Sequence, residues 1–394
     1  MKRQVFWPAP LLALAVLSSS CGGDRTTGIN ASSVSDNGGI TIEITPASAT
    51  LPPTGTQQFT ATVRAQGGEV IELAPVEWSS SDPAVATVTA SGLATAVASG
   101  VAEIRATFAN RTAVAPVSVV DDALRNVIVY ATEEFGISEL AVVNPDGSGR
   151  RRLTTDGRGY FHPAISPEGR RIAFARLGTN GWAIHVMNAD GSGETQLVAA
   201  EFAGEPAWSP DGTRIAFRSV VPGPFGQVGR IFVISVDGSG LHQVSPDVPD
   251  PNVFFYSDAS PAWSPDGTRI AFTRTGQLTL INADGTGLSS ISTPEGGEFP
   301  SWSPDGTRIA YTGFMNTRDV FNSNPDGSNP VRVTTAPEQE NSPRWSPDSR
   351  RLVFCRVVNG FFQLYTINAD GTGEAKLTAN PNAHECTPSW SPVR

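Results

Sequence analysis

The phrase PAWSPDGTRIAF occupies Pro206–Phe217 and returns unchanged at Pro261–Phe272. Variants of it, PAISPEGRRIAF, PSWSPDGTRIAY, PRWSPDSRRLVF and the fragment PSWSPVR, begin at Pro163, Pro300, Pro343 and Pro388. The third residue of each copy, a Trp except for Ile165, recurs at intervals of 43, 55, 39, 43 and 45 positions. Self-similarity with a period of this length indicates a repeat architecture, and the spacing suits a four-stranded propeller blade.

Each repeat contains four apolar segments, which we denote strands A to D. The segment PAWS is strand A and RIAF is strand B, while Arg230–Ile234 and His242–Val244 illustrate strands C and D. Ser-Pro-Asp-Gly joins A to B, and Asn-Ala-Asp-Gly with its near variants joins C to D, as is typical of tight turns. Strand B places Ile and Phe on one face and Ala on the other. This pattern predicts that the bulky face of one blade packs on the small face of the next.

The two ends of the repeat region complete each other. Asn126–Ala131 is a B strand with no A strand before it, and Pro388–Ser391 is an A strand with no B strand after it. Joining them makes one further blade, so the count is six blades in a closed ring. The recurrent WSPDGTRIAF phrase with NADGSG links resembles the TolB-like six-bladed β-propeller family over residues 121–394. The resemblance implies a role in binding peptide and lipoprotein partners at the cell envelope.

A second domain is predicted at 40–120, where short runs alternate apolar and polar residues, as in Ile40–Ile44. The segments TLPPTGTQQFTATV, VEWSSSDPAVATV and ASGLATAVASGVAEIRAT resemble the group 2 bacterial immunoglobulin-like domain. That resemblance implies a β-sandwich with Trp78 as its core aromatic and a role as a spacer or surface module. The expected fold class is therefore all-β, with an immunoglobulin-like sandwich before a six-bladed β-propeller.

The first twenty residues have the composition of an export signal, with a basic start and an apolar stretch of about a dozen residues. Cys21 follows and resembles the acylated first residue of a bacterial lipoprotein; the alternative is an ordinary cleaved signal that leaves a free thiol. Residues 21–39 are small and polar and are expected to form a flexible tether. These features predict an exported, lipid-anchored protein of the cell envelope, with the propeller in the periplasm or at the cell surface.

Composition and motifs argue against several function classes. The net charge of −10 gives no support to a basic patch, so we expect no nucleic-acid partner and no binding to an anionic membrane surface. Contact with the membrane is expected through a lipid anchor only. No G-x-S-x-G motif is present, and the four histidines lack metal-site spacing, so we predict no catalytic residues, metal or cofactor. The Asn-Ala-Asp-Gly links lack the complete pattern of a calcium loop and are expected to be hairpin turns.

The strand directions define two rims. The A–B and C–D turns lie on one rim, where the copies are nearly identical, and we call it the far rim. The B–C and D–A loops lie on the opposite rim, where every copy differs, and we call it the variable rim. The longest variable loops are Ser219–Gly229 and Pro246–Ser260. Loops held by a rigid scaffold are a usual place for binding. The predicted binding residues on these loops are Phe225, Phe254, Phe255 and Tyr256.

Five acidic residues and one histidine lie one to three positions before the Pro at the start of strand A. They are His162, Glu205, Asp258, Glu298, Glu340 and Glu385. One hypothesis is a negative ring at the mouth of the central channel for a cationic ligand. The favoured alternative is local pairing with the arginines that end strand B, namely Arg176, Arg274 and Arg356.

Two cysteines remain beyond the leader. Cys355 ends a B strand and Cys386 precedes the closing strand, both at the variable rim. A disulfide between them suits an exported protein, and two separate thiols are the alternative.

Three functions are therefore open. The first is a non-catalytic envelope lipoprotein that presents a propeller rim to an envelope protein or glycan. The second is an envelope polysaccharide lyase or hydrolase that acts in the propeller mouth. The third is a surface adhesin or structural lipoprotein. The oligomeric state is left open.

Overall fold

The computed structural model describes residues 39–392 except 73, 122, 179–180, 200–201, 224–225, 248–256 and 294. The described chain consists of strands, turns and irregular segments, and it divides into two compact units, Met1–Asp121 and Asp122–Arg394. The predicted leader, Cys21 and residues 22–38 of the tether lie outside the described residues.

The described residues of the first unit form nine strands in three small sheets. The strands are β1 Thr41–Thr45, β2 Ala49–Leu51, β3 Thr56–Gln58, β4 Thr60–Arg64, β5 Glu77–Ser80, β6 Ala86–Val88, β7 Leu93–Ala96, β8 Gly100–Phe108 and β9 Arg111–Val119. The sheet orders are β2-β9-β8-β5, β3-β7-β6 and β1-β4. All pairs are antiparallel except β2 with β9, which is parallel.

The core of this unit lies between alternating inward residues such as Ile104 and Val117, which are fully buried. Phe59, rather than the expected Trp78, is the fully buried aromatic. Trp78 is half-buried at the edge of the core, where its ring would lie only 3.0 Å from a Cβ at Gly92. Gly92 also has φ +82°, so glycine allows both the turn and the close approach of the indole.

In the second unit, the described residues form six four-stranded sheets, each a blade with its strands in sequence order except in the last. Blade 1 is β13 Phe161–Ile165, β14 Arg171–Gly178, β15 Gly181–Asn188 and β16 Thr195–Ala199. Blade 2 is β17 Gly204–Trp208, β18 Arg214–Gly223, β19 Gly226–Ser235 and β20 His242–Gln243. Blade 3 is β21 Asp258–Trp263, β22 Arg269–Arg274, β23 Gln277–Asn282 and β24 Ser289–Ser290.

The remaining blades follow the same pattern. Blade 4 is β25 Glu298–Trp302, β26 Ile309–Phe314, β27 Arg318–Ser323 and β28 Val331–Arg332. Blade 5 is β29 Glu340–Trp345, β30 Arg351–Val358, β31 Phe361–Asn368 and β32 Ala375–Lys376. Blade 6 is β33 His384–Trp390, β10 Ile128–Glu134, β11 Ile137–Val143 and β12 Arg151–Arg152.

Blade 6 closes the ring with strands from both ends of the repeat region. Its inner strand β33 pairs antiparallel with β10, so that Ile128 lies opposite Trp390. The backbone N–H of Asn126 donates to the carbonyl of Pro392 at 2.8 Å, which extends the pairing beyond the strand. Because each end supplies what the other lacks, the predicted six-bladed ring is the observed one.

Neighbouring blades pack bulky face on small face, as the strand B pattern predicts. Between blades 1 and 2, Ala173 and Ala175 of β14 contact Trp208, Ile215 and Phe217 of blade 2. Each of the six interfaces has its own buried cluster of this kind. Because a single blade buries neither face alone, the blades are stable only as a ring.

The repeated Asp-Gly-Thr-Arg segment also has a packing role. At the far rim, Asp211 accepts hydrogen bonds from the Ser209 hydroxyl at 2.5 Å and the Thr213 N–H at 3.0 Å, which fixes the turn. The guanidinium of Arg214 then lies 4.7 Å from the ring centre of Trp263 in the next blade. Such a contact contributes about 0.5–1 kcal/mol at an exposed site. Equivalent Arg–Trp contacts join three other pairs of blades.

Candidate functional site in the central channel

The six inner strands, β13, β17, β21, β25, β29 and β33, surround a central channel. Each inner strand contains a β-bulge, and in each a non-glycine residue directly before the Pro has φ between +51° and +56°. These residues are His162, Glu205, Ser260, Phe299, Ser342 and Thr387. Left-handed backbone is unfavourable for such residues, and bulges of this kind redirect side chains and cluster at functional sites.

The channel has a volume of about 510 Å³ and is lined by all six inner strands. A cavity of this size is in the range of small-molecule sites in proteins. Most of its described lining is Pro, Ala, Ser and Trp. Three lining side chains differ from this background by being ionisable, namely His162, Glu205 and Arg344.

The predicted ring of six residues at the channel mouth is not formed. His162 and Glu205 stand directly before the Pro and line the channel, whereas Asp258 and Glu340 stand three positions before it and are buried in pairs. The Asp258 carboxylate lies 2.7 Å from Arg274, which is opposite it in the register of β21 and β22. The physical reason is the bulge, because it turns the residue directly before the Pro toward the channel, whereas the residues two or three positions before the Pro do not line it.

The other two acids are also paired. Glu298 lies 3.1 Å from Arg318, and the buried Glu385 pairs with Arg150. Arg356 lies 2.6 Å from Glu340. Arg176 pairs with Glu194 rather than with a residue of strand A.

Arg344 is the functional candidate that sequence reasoning missed. It occupies the position directly after the Pro, which holds Ala in blades 1 to 3 and Ser in blades 4 and 6. The signal was present in the phrase itself, as PRW against PAW or PSW. Phe299, Ser260, Ser342 and Thr387 were missed as well, since only the backbone shows that the position directly before the Pro also lines the channel.

The electrostatics of the channel follow from burial. Desolvation lowers the pKa of Arg344 to about 10, against the attraction of Glu205, so the guanidinium is still charged at neutral pH. Burial also lowers the pKa of His162, with Arg344 and Arg218 acting in the same direction and Glu205 against them. The imidazole is therefore neutral at pH 7. The described lining thus presents one cation, one carboxylate and one neutral imidazole.

Several donor and acceptor atoms of the channel side chains have no hydrogen-bond partner among the described residues. The Arg344 guanidinium donates to the Pro343 carbonyl at 2.8 Å and has no ion-pair partner within 4 Å among the described residues. Glu205 Oε2 accepts the Ser260 N–H at 2.5 Å. Within the same part of the chain, His162 Nδ1 and Thr387 Oγ1 are buried without a hydrogen-bond partner. Buried polar groups are rarely left unpaired, so the channel is prepared for a polar occupant.

The predicted rim residues Phe225, Phe254, Phe255 and Tyr256 lie outside the described residues. Elsewhere on the variable rim, other large apolar side chains are exposed. They are Phe135, Ile137, Leu177, Phe202, Phe314 and Met315. Phe135 is 95% exposed, and both it and Phe202 have positive φ, at 54° and 53°.

The insertion expected as a loop at Ser219–Gly229 is largely an extended hairpin. Strands β18 and β19 continue their pairing from Val220 opposite Gly229 to Gly223 opposite Gly226. The β-branched residues Val220, Val221 and Val228 favour strand pairing beyond the rim. Blade 2 therefore projects a two-stranded ribbon on the variable side.

Cys355 and Cys386 form a disulfide with their Cα atoms 5.4 Å apart. The bond joins β30 of blade 5 to the closing strand β33.

At the far rim, the aspartates of the C–D turns accept hydrogen bonds from residues of their own turn. Asp284, for example, accepts the N–H and hydroxyl of Thr286 at 2.9 and 2.7 Å. Each such bond favours the ionised form and lowers the pKa of the carboxyl, as at Asp284.

In the part of the chain that the structure describes, no group of three or more His, Cys, Asp or Glu side chains is placed to hold a metal ion. Over the same residues, no helix has the length and hydropathy to cross a bilayer.

A ring of six four-stranded blades, closed by the last strand around a central channel, defines the class: a six-bladed β-propeller with a separate immunoglobulin-like domain before it in the sequence. Residues 277–393 match the family model of the TolB beta propeller domain, and residues 40–119 match that of the bacterial Ig-like domain (group 2). Over these residues the propeller is similar to the TolB beta propeller domain, and the first unit is similar to the group 2 bacterial immunoglobulin-like domain.

Individual relatives agree with this assignment. A Tol-Pal system protein TolB from Geobacter sulfurreducens is 36% identical over 83 residues, which are 21% of this chain and 19% of that protein. The protein of the same name from Gluconobacter oxydans is 32% identical over 107 residues, or 27% of this chain and 22% of that protein. The matches thus span about a fifth of the length of each of these relatives.

The crystal structure of TolB from Acinetobacter baumannii superposes with a TM-score of 0.58 at 14% identity, covering 90% of this chain and all of that one. At this identity the likeness shows the fold alone.

Proposed function

We propose that this protein is a non-catalytic binding module of the cell envelope that presents the variable rim of its propeller to a partner protein. The proposal rests on the exposed apolar side chains of that rim and on similarity to proteins of the Tol-Pal system. Export by residues 1–20 and a lipid anchor on Cys21 belong to the same proposal. A Cys21→Ser variant that still incorporates labelled fatty acid would contradict the anchor.

The observation that carries the proposal is the pair of exposed phenylalanines with left-handed backbone. Left-handed backbone costs about 1–2 kcal/mol for a residue with a side chain, and Phe135 additionally leaves its ring in water. Gly136 follows Phe135 in the same turn with φ +79°. Replacement of Phe by glycine or a small polar residue at such a position would lower the free energy of the folded monomer. Retention of aromatic rings there suits a surface that is covered by a partner.

The enzymatic alternative, a polysaccharide lyase or hydrolase in the propeller mouth, finds weaker support in the geometry. Glycoside hydrolysis usually requires two carboxyl groups that flank the scissile bond. The described channel lining contributes one carboxylate, Glu205, while Glu298 and Glu340 are paired with arginines. Polysaccharide cleavage that is abolished by Glu298→Gln or Glu340→Gln would favour the enzyme instead.

Site-specific photocrosslinking in intact producing cells tests the rim. A benzophenone side chain is placed at position 135 or 202, and at position 241 as a matched control on the far-rim side, where Leu241 is also about half exposed. We expect discrete protein crosslinks from positions 135 and 202 and none of them from position 241. Substitution of Phe202 by Ser should weaken the crosslink formed from position 135.

The outcomes separate the remaining hypotheses. A crosslinked product that contains polysaccharide instead of protein would assign the rim to a glycan. Equal crosslinking from positions 135 and 241, or none from either rim position, would contradict the proposal and favour the adhesin or structural role.

A further inference from the structure

The central channel carries an inference that is independent of the rim. Five inner strands have Ala or Ser directly after the Pro, so a small residue is sufficient to build the channel wall. Arg344 of β29 is the exception. The propeller architecture therefore does not account for the guanidinium.

Arg344 is placed where a cation is costly. Arg344 is partly buried in the channel wall, and the loss of water there lowers its pKa to about 10. Burial of a charge without a partner is unfavourable, and in the described chain the guanidinium has only the carbonyl of Pro343 as an acceptor. Its planar fork of donors is suited to a carboxylate, with which arginine forms two parallel hydrogen bonds.

A second charged group shares the channel. Glu205 of β17 belongs to blade 2, which is three blades away from blade 5 and hence opposite to it in a ring of six. Its Oε2 atom is anchored by the backbone N–H and the hydroxyl of Ser260, at 2.5 and 3.3 Å. The neutral His162 in the neighbouring blade interacts with this carboxylate and has a buried, unpaired Nδ1.

We propose that the channel binds a small zwitterion, namely a free amino acid or a short peptide with both ends free. The ligand carboxylate pairs with Arg344, and the ligand ammonium lies toward Glu205. A zwitterion compensates both channel charges at once. A simple anion would leave Glu205 without a counter-ion, and a simple cation would leave Arg344 without one. The volume of about 510 Å³ accommodates a ligand of this size.

Calorimetric titration of the purified protein, with both domains present, tests this proposal. The probes are the free amino acids and a panel of Gly-X dipeptides, each dipeptide being compared with its C-terminal amide and its N-acetyl derivative. We expect at least one zwitterion to bind, and both of its derivatives to bind about tenfold more weakly or worse, as the loss of one charged hydrogen-bonded contact implies.

Two variants supply matched controls, because other blades already carry the replacement residue. Arg344→Ala introduces the residue of blades 1 to 3, and Glu205→Ser that of blades 3 and 5 at the position before the Pro. Both should fold, which an unchanged circular dichroism spectrum verifies. Arg344→Ala should make the free acid and the amide bind equally, and Glu205→Ser should do the same for the free amine and the N-acetyl form.

The proposal is overturned if no zwitterion of the panel binds, or if binding is insensitive to Arg344→Ala. It is also overturned if the amide binds as tightly as the acid. A Phe135→Ser variant should bind the zwitterion normally, so failure of the channel site and failure of the rim proposal are distinguishable.

Discussion

At the scale of single residues, an offset of two positions decides whether a side chain enters the channel. Glu205 and Asp258 both precede a strand-A proline, by one and three positions, yet only Glu205 lines the channel. The sequence shows both acids but not the bulge that separates them. An alignment of the six copies singles out Arg344, by contrast, because the other copies have Ala or Ser at its position. The alignment does not show the environment of Arg344, because the loss of water around its side chain arises from six strands at once.

The buried acid Glu340 makes a prediction about pH. Arg356 lies 2.6 Å from Glu340 and also 2.6 Å from Glu374, so one cation faces two carboxylates. Burial raises the pKa of Glu340 from 4.5 to about 7 against the attraction of Arg356. Between these two pH values Glu340 therefore carries a proton in the folded protein, whereas the same side chain is ionised in the unfolded chain. The stability that Glu340 contributes is fully present below about pH 4.5 and is lost as the pH rises through 7.

Replacement of Glu340 by Gln should remove this pH dependence. We expect the free energy of unfolding of Glu340→Gln to decline less between about pH 5 and pH 8 than that of the unaltered protein. Denaturant titrations of both proteins across this range provide the measurement. The slope with pH is the quantity compared, so a uniform loss of stability in the variant does not affect the result. Identical slopes would contradict the prediction.

At the scale of elements, two departures from the sequence pattern share one cause. The expected loop at 219–229 continues as strands, because Val220, Val221 and Val228 can pair once the two chains run side by side. Trp78 gives way to Phe59 as the buried aromatic of the first domain, because the strand β5 that carries it lies at the edge of its sheet. Strand pairing and edge position are properties of neighbours, which local patterns do not contain.

The disulfide between blade 5 and the closing strand should stabilise the propeller. Cys355 and Cys386 are 31 positions apart, and closing a loop of that length in the unfolded chain corresponds to about 3–4 kcal/mol. We expect Cys355→Ser/Cys386→Ser to lower the free energy of unfolding by up to this amount. Guanidinium titration followed by tryptophan fluorescence provides the measurement. The two proteins should coincide in the presence of a reductant, and a difference that persists there would show that the bond is not its source.

At the scale of the whole molecule, the ring is closed by pairing between segments that are distant in sequence. Ile128 of β10 lies opposite Trp390 of β33, and Val127 donates to the Ser391 hydroxyl at 2.8 Å. Both faces of every blade are then covered by a neighbour. Loss of β33 removes Trp390 from the cluster between blades 5 and 6, and it leaves unpaired one edge of the strand β10, which contributes both to that cluster and to the one between blades 6 and 1.

Truncation before β33 should therefore abolish the cooperative folding of the propeller. A chain that ends at Ala383 loses the inner strand of blade 6, and we expect it to lack a sharp unfolding transition and the near-ultraviolet signal of packed tryptophans. The double cysteine variant is the matched control, since it loses the disulfide but retains β33. Deletion of residues 1–121, which form the other compact unit, should leave the propeller transition in place. A truncated chain that unfolds as sharply as the control would contradict the closure argument.

The amino-acid sequence by itself determined the six blades, their stacking and the exchange of strands at closure. These depend on period, alternation and turn residues, which are local and are repeated in every copy. Only the tertiary structure decided which of the marked residues share a site. The acids near strand A separate into channel and buried pairs, and Arg344 meets the field of Glu205, because bulges and ring geometry place residues by their distance in space. The phrase that recurs from Pro163 to Pro388 builds the wall, and Arg344, its one departure from Ala or Ser directly after the Pro, gives the channel a cation.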